Sequence, residues 1–246
     1  MSVTQKTYGR ILIKLSGEML MGEEAYGIHT PTLDRMARDV IEVVAAGYQV
    51  GLVIGGGNIF RGVAGAAQGL DRASSDYMGM LATCINGLAV QNALEKQNIQ
   101  TRLVSAIKMD AVAEPYIRRR AIRHMEKGRV VVFVAGTGNP FFTTDTAAAL
   151  RAVELNCDLM LKATKVDGIY TADPKKDKSA EHIGQLTYNE TITSNLQVMD
   201  GTALTLCRDN KLPIMVASMV NKGGLLQALE GKAKCTLVTD KEAISA

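Results

Sequence analysis

Four short segments of the chain combine cations, hydroxyls and glycines in patterns suited to holding phosphate. In Lys14-Leu15-Ser16-Gly17-Glu18, a lysine is followed by a hydroxyl and a glycine. Gly55-Gly56-Gly57 can bring successive backbone N–H groups against an anion, because glycine adopts positive φ and carries no Cβ. Arg61, four residues later, offers a planar fork for bidentate phosphate binding. Asp145, after Thr143-Thr144, has two readings: the cap of an alanine-rich helix, or a carboxylate that holds two lysines or a metal while Thr144 bonds a substrate. Lys162-Ala163-Thr164-Lys165 brings two further cations. Tyr170 and Asp173 follow, an aromatic face and a carboxylate able to stack a base and bond a ribose.

Common phosphate motifs are absent. No GxxxxGK[ST] occurs, which excludes a P-loop enzyme. The triple glycine does not extend to GxGxxG, because position 60 is Phe60; the acidic residue some 20 positions on is Asp76, near a helix start. A dinucleotide oxidoreductase is therefore disfavoured.

The elements that must position these groups are legible. Continuously apolar runs at residues 10–13, 49–54, 101–104, 130–134, 159–161 and 214–217 read as strands of a parallel sheet covered on both faces. Helical periods intervene. One runs from an N-cap at Thr30 with Pro31 at the first position, through Leu33, Met36, Ala37, Val40 and Val44, to Gly47. A long second helix carries Met78, Leu81, Ala82, Ile85, Leu88, Ala89 and Ala93, and Pro115 opens a third. Arg118-Arg119-Arg120 with Arg123 reads as the solvated face of that third helix. Residues 171–189 read as a long mobile excursion. The fold expected is α/β, a three-layer αβα sandwich with a mostly parallel central sheet, as one domain over residues 1–246. In such sheets ligands lie beyond the carboxyl ends of the strands, where all four segments fall.

Composition narrows the function classes. The 246 residues carry a net charge of +3, too mild to point to nucleic acid or an anionic membrane, and no apolar run reaches the length of a membrane helix. Four separated cysteines and three histidines favour neither a disulfide framework nor a zinc site. The N-terminal residues lack the pattern of a signal peptide, and a cytoplasmic location is expected.

Residues 14–18, 55–58 and 162–168 together resemble the amino acid kinase superfamily. Residues 58–62, 76–83, 136–145 and 170–174 narrow the resemblance to its bacterial uridylate kinase family, with the matches in family order from residue 9 to about 240. The resemblance implies transfer of the ATP γ-phosphoryl group to UMP, giving UDP and ADP for pyrimidine nucleotide supply, with Mg²⁺ carried on ATP and no dedicated metal ligands. It implies Lys14, Leu15, Ser16 and Gly17 as ATP phosphate contacts, Gly57 and Arg61 at the junction of the nucleotides, and Thr164, Tyr170 and Asp173 about the adenosine. For UMP it implies Gly56, Asp76 at the ribose, and Thr137, Gly138, Asn139, Pro140, Phe141, Phe142, Thr143 and Thr144. The catalytic set implied is Lys14, Arg61, Asp145 and Lys162, with Lys165 the other choice for the second lysine. Asp200 falls near the nucleotide in the family pattern, yet helix capping explains it as well, and it stays outside the set. Gly22, Glu23, Glu24, Ala25, Tyr26 and Gly27 match a segment associated with activation by GTP; UTP inhibition and a homohexamer are also implied. The alternatives are a kinase of the same fold acting on a carboxylate or carbamate, and a non-catalytic nucleotide sensor.

Overall fold

The computed structural model describes residues 8–61, 69–172, 176–177, 179–194 and 198–240. Its elements in chain order are β1 (Arg10–Leu15), a 3₁₀ turn (Gly17–Leu20), α1 (Thr30–Ala45), β2 (Gln49–Ile54), α2 (Arg72–Glu95), β3 (Thr101–Ser105), β4 (Glu114–Pro115), α3 (Arg118–Glu126) and β5 (Val130–Val134). They continue as α4 (Thr144–Glu154), β6 (Leu159–Thr164), β7 (Ile169–Tyr170), β8 (His182–Ile183), β9 (Gln185–Leu186), α5 (Tyr188–Thr193), α6 (Gly201–Asp209), β10 (Ile214–Ser218), α7 (Gly224–Leu229) and β11 (Cys235–Val238).

All six expected strands form, and they join in one nine-stranded sheet of order β4-β3-β5-β2-β1-β6-β10-β11-β9. Every pair from β4 to β10 is parallel; β11 runs antiparallel to β10 and β9 parallel to β11. Alternate side chains enter two separate apolar layers. Ile11, Ile13 and Leu15 of β1 pack with Met36 and Val40 of α1, Val90 and Leu94 of α2, and Leu225 of α7. Leu12 packs on the opposite face with Met125 of α3, Ala148 and Ala152 of α4, Tyr188 of α5, and Leu204 of α6. Burial on both faces explains why these strands read as unbroken apolar runs, and the result is the expected αβα sandwich.

Three local expectations are corrected. His29, not Thr30, flanks α1 in extended geometry, and its ring nitrogen Nδ1 lies 2.8 Å from the Thr32 hydroxyl, so the helix begins one residue earlier. Pro115 does not open a helix. It ends the edge strand β4, where a missing N–H is tolerated, and α3 begins at Arg118. The described residues of 171–189 do not form one irregular excursion: β8 pairs antiparallel with the preceding β7 as a small arm and β9 rejoins the main sheet, while residues 173–175 and 178 of that stretch lie outside the described residues. Arg118, Arg119, Arg120 and Arg123 are exposed, as a solvated face requires. All four cysteines are free thiols, and burial pushes Cys157 up to about 12.

Candidate functional site

Strand register brings the two lysines together. β1 and β6 are neighbours, and Lys14 lies directly opposite Lys162 in their parallel ladder. Each sits two positions after a residue that faces the α4 layer, Leu12 in β1 and Met160 in β6, so both side chains point to that face. Two adjacent, largely buried ammonium groups repel one another and need an anion.

Asp145 supplies it. Lys14 Nζ lies 2.7 Å from one carboxylate oxygen and Lys162 Nζ 2.8 Å from the other, with side-chain exposures of 11%, 18% and 14% for Lys14, Lys162 and Asp145. The Lys162 contact is an aligned hydrogen bond. Oδ1 is buried without an aligned donor, so the Lys14 contact is held by charge. Burial pushes the Asp145 carboxyl upward, but the charges of Lys14 and Lys162 outweigh it and hold the group below its ordinary value. Burial lowers the Lys162 ammonium; Asp145 opposes that effect only in part, and Lys14 adds to it. Lys165 is exposed on the following loop, and Lys162 is the lysine that bonds this carboxylate.

The sequence left two readings for Asp145, and the local fold separates them. Thr143 is the cap of α4: its hydroxyl oxygen accepts the N–H groups of Asp145 at 3.1 Å and Thr146 at 3.2 Å. Asp145 stands inside the first turn, and its carboxylate is left for the lysines. A carboxylate there also meets the positive end of the helix.

Asp200, left out of the expected set, supports the same turn. It caps α6 by accepting the Ala203 N–H at 3.0 Å, and it accepts the hydroxyls of Thr143 and Thr146. The nearby Val198 carbonyl accepts from Lys162. The capping role was legible in the sequence; the bonds to α4 were not.

A cleft of about 380 Å³ adjoins this centre. Its walls are the glycine turn with Arg61, the first turns of α2, and the loop before α4. Gly56, Gly57, Arg61, Asp76, Thr137, Asn139, Phe142, Thr143 and Thr144 all line it. Gly56 packs so closely on α2 that a Cβ would sit 2.7 Å from the Gly79 carbonyl, so the backbone itself forms the wall.

Some expected contacts are already engaged. Asp76 pairs with Arg72 at 2.9 Å, and accepts the Phe141 N–H at 2.8 Å. Phe141 has φ of 73°, a conformation costly for an aromatic residue, and its ring is exposed with the Arg72 guanidinium 5.7 Å from its centre. Asp76 thus ties α2 to the 136–144 loop. Arg61 pairs with Glu18 across the mouth of the cleft, an exposed pair of little stabilising value. Neither Arg72 nor Glu18 was singled out from the sequence; single charges on surface turns carry no spacing signal.

Other expected residues lie outside the cleft lining. Leu15 is fully buried, so only its backbone can meet a ligand. Ser16 precedes the 3₁₀ turn and its hydroxyl makes no capping bond. Gly138 and Pro140 belong to the loop, but the lining does not include them. At the end of β6, the Thr164 hydroxyl donates to the Val166 carbonyl at 2.5 Å. On β7 the Tyr170 hydroxyl donates to Asp167 at 2.6 Å and its ring meets His182 edge-on. Asp173 lies outside the described residues. Residues 23–26 form an exposed turn, with Tyr26 81% exposed, and Gly27 exchanges backbone and side-chain hydrogen bonds with Asn58.

Residues 9–218 match the amino acid kinase family. Two solved structures are similar over nearly the whole chain. A UMP kinase from Bacillus anthracis is 41% identical, covering 96% of this chain and 97% of its own, with a TM-score of 0.92. A UMP kinase from Ureaplasma parvum is 39% identical, covering 94% and 98%, with a TM-score of 0.89.

Proposed function

The chain belongs to the amino acid kinase family, and from that premise we propose that it transfers the γ-phosphoryl group of MgATP to UMP. The observation that carries this reading is the buried Lys14–Asp145–Lys162 triad at the carboxyl ends of two adjacent strands, beside a cleft walled by a glycine turn. The two similar structures, both UMP kinases, support UMP as the acceptor.

Phosphoryl transfer needs two anionic reactants aligned in line and the spreading charge stabilised. Lys14 and Lys162 present cations already fixed by Asp145, so no reorganisation is needed as charge develops. Gly17, Gly56 and Gly57 present backbone to the phosphates from two neighbouring loops. Arg61, at the cleft mouth, exchanges Glu18 for a phosphate. UMP occupies the cleft, its ribose toward Asp76 and its remainder along Thr137, Asn139, Phe142 and Thr144. Ser16, with the backbone of Leu15, faces the ATP phosphates; Thr164, Tyr170 and Asp173 serve the adenosine.

Mg²⁺ enters as part of the nucleotide substrate. Asp145, the carboxylate at the centre, is committed to two lysines, which leaves the ion to phosphate oxygens and water.

The reading extends to a single catalytic domain that self-associates as a homohexamer. Tyr77, Met78, Leu81, Ile85 and Leu88 form an apolar stripe along the outer face of α2, each at least 43% exposed, which supports burial against another copy. GTP acting through residues 22–27, UTP as inhibitor, and a cytoplasmic setting complete the proposal. Among the described residues no helix is long and apolar enough to cross a membrane.

The test is ADP production from MgATP with UMP, CMP, dTMP, AMP, aspartate and glutamate as separate acceptors. Turnover with UMP is expected. Turnover with an amino acid alone, or nucleotide binding without turnover, would overturn the reading.

A further inference from the structure

Two asparagines deep in the protein have no role in the chemistry above. Asn58 ends the glycine turn and Asn86 lies in the middle of α2; they are 2% and 0% exposed. Asparagine is a poor residue for a helix interior, and a buried carboxamide is costly unless all its polar groups are bonded. Here they are. Asn86 Nδ2 donates to the Gly55 carbonyl at 2.7 Å and to Asn58 Oδ1 at 2.6 Å. Asn58 Nδ2 donates to Asn86 Oδ1 at 3.0 Å and to the Gly27 carbonyl at 2.8 Å. The two backbone carbonyls can only accept, so they fix which end of each amide carries the hydrogens.

Asn86 therefore grips the glycine turn at both ends, at Gly55 through the backbone and at Asn58 through the side chain. The loop after β1 seats on the same pair: a Cβ at Gly17 would lie 2.5 Å from Asn58 Oδ1 and 2.6 Å from the Gly55 carbonyl. One buried amide pair thus sets the spacing between the Ser16–Gly17 loop and the Gly56–Gly57 turn.

We infer that Asn86, acting with Asn58, is a positioning residue for phosphoryl transfer, holding the donor-side and acceptor-side phosphate loops at the separation that in-line attack requires. It touches neither nucleotide. The inference rests on the proposed UMP kinase reading and adds to it the element that aligns the two subsites. A misplacement of about 1 Å can cost on the order of 100-fold in rate, so loss of either amide should lower kcat by roughly 10- to 100-fold. Because the pair acts as a unit, the penalties should not multiply.

The experiment is steady-state kinetics with MgATP and UMP on the full chain, comparing wild type, Asn58→Ala, Asn86→Ala and the double variant, each below its melting temperature. The expected result is a fall in kcat larger than any change in either KM, with the double variant no slower than the slower single one. A purely structural pair would lower the melting temperature and leave kcat per folded molecule unchanged. That outcome, or penalties that multiply, overturns the inference. Where Asn86→Ala does not fold, Asn58→Ser carries the same test with a smaller perturbation. A wild type inactive toward UMP overturns the functional reading and this inference with it; an active wild type with an unimpaired Asn86 variant overturns this inference alone.

Discussion

Replacing Asp145 with asparagine removes one negative charge from between two largely buried ammonium groups while keeping the side chain's shape. Each contact is about 2.8 Å or shorter between nitrogen and oxygen. At an effective dielectric constant of about 20, unit charges ~4 Å apart attract by about 4 kcal/mol, and Asp145 makes two such attractions. Desolvation offsets part of this; breaking a buried ion pair by removing one partner costs roughly 3–5 kcal/mol. For a chain of this length, that corresponds to a fall in melting temperature of about 6–20 °C. The pH dependence carries its own sign. The Asp145 carboxyl is held below its ordinary value of 3.8, so its contribution is complete above that pH and disappears only as pH falls through the lower folded value. Lys162 is held below its ordinary 10.5, so folding favours its neutral form, and stability rises as pH climbs from its folded value toward 10.5. Asp145 raises the Lys162 value in the wild type. Without it, the variant sheds that proton at lower pH and starts to recover sooner. Urea denaturation at pH 7 and at pH 9 should therefore show a gap of about 3–5 kcal/mol that narrows on the alkaline side. A gap under about 1 kcal/mol at pH 7, or one that widens with pH, would refute the account of the triad.

Lys14→Ala should lower kcat by a hundred- to thousand-fold, roughly 3–4 kcal/mol, with an unchanged circular dichroism spectrum; an unchanged kcat would remove Lys14 from the mechanism. Asp76→Ala should chiefly raise the KM for UMP, and a rise in the KM for ATP instead would reverse the division of the two nucleotide sites. Phe141→Gly should stabilise the protein by about 0.5–1 kcal/mol by releasing the left-handed backbone at φ 73°; a lower denaturation midpoint would show that the ring does more than the backbone costs. Leu81→Glu with Ile85→Glu, both on the exposed stripe of α2, should reduce the mass seen by sedimentation; an unchanged mass would place the subunit contact elsewhere.

The sheet was legible because burial on both faces forces continuous apolar runs, and six such runs became strands β1, β2, β3, β5, β6 and β10. The two-residue strands β4, β7, β8 and β9 were not, because two residues have no period. The lysine–aspartate centre was legible as a group of residues at strand ends, but its geometry was not. Nothing in the spacing of Lys14 and Lys162 reveals that β1 and β6 are neighbours in register. The cap of α4 shows the same limit: Thr143 and Asp145 are both good caps, and the bond from Thr143 to Asp200, 57 residues away, ties the 143–146 turn to α6. Asn86 was hidden most completely. In the helical pattern it reads as a polar residue beside Ile85 and Gly87; only the packing of the glycine turn against α2 takes it out of solvent.

The pairing of Lys14 with Lys162 makes the chemistry a matter of parity. Side chains in a strand alternate faces, so one residue inserted in β1 before Lys14 would turn its ammonium away from Asp145 into the apolar layer of α1 and α2. An insertion of two would restore the face but carry the lysine about 6.6 Å along the strand, beyond reach of the carboxylate. The count of residues in β1 ahead of Lys14, and in β6 ahead of Lys162, therefore admits no change in either direction.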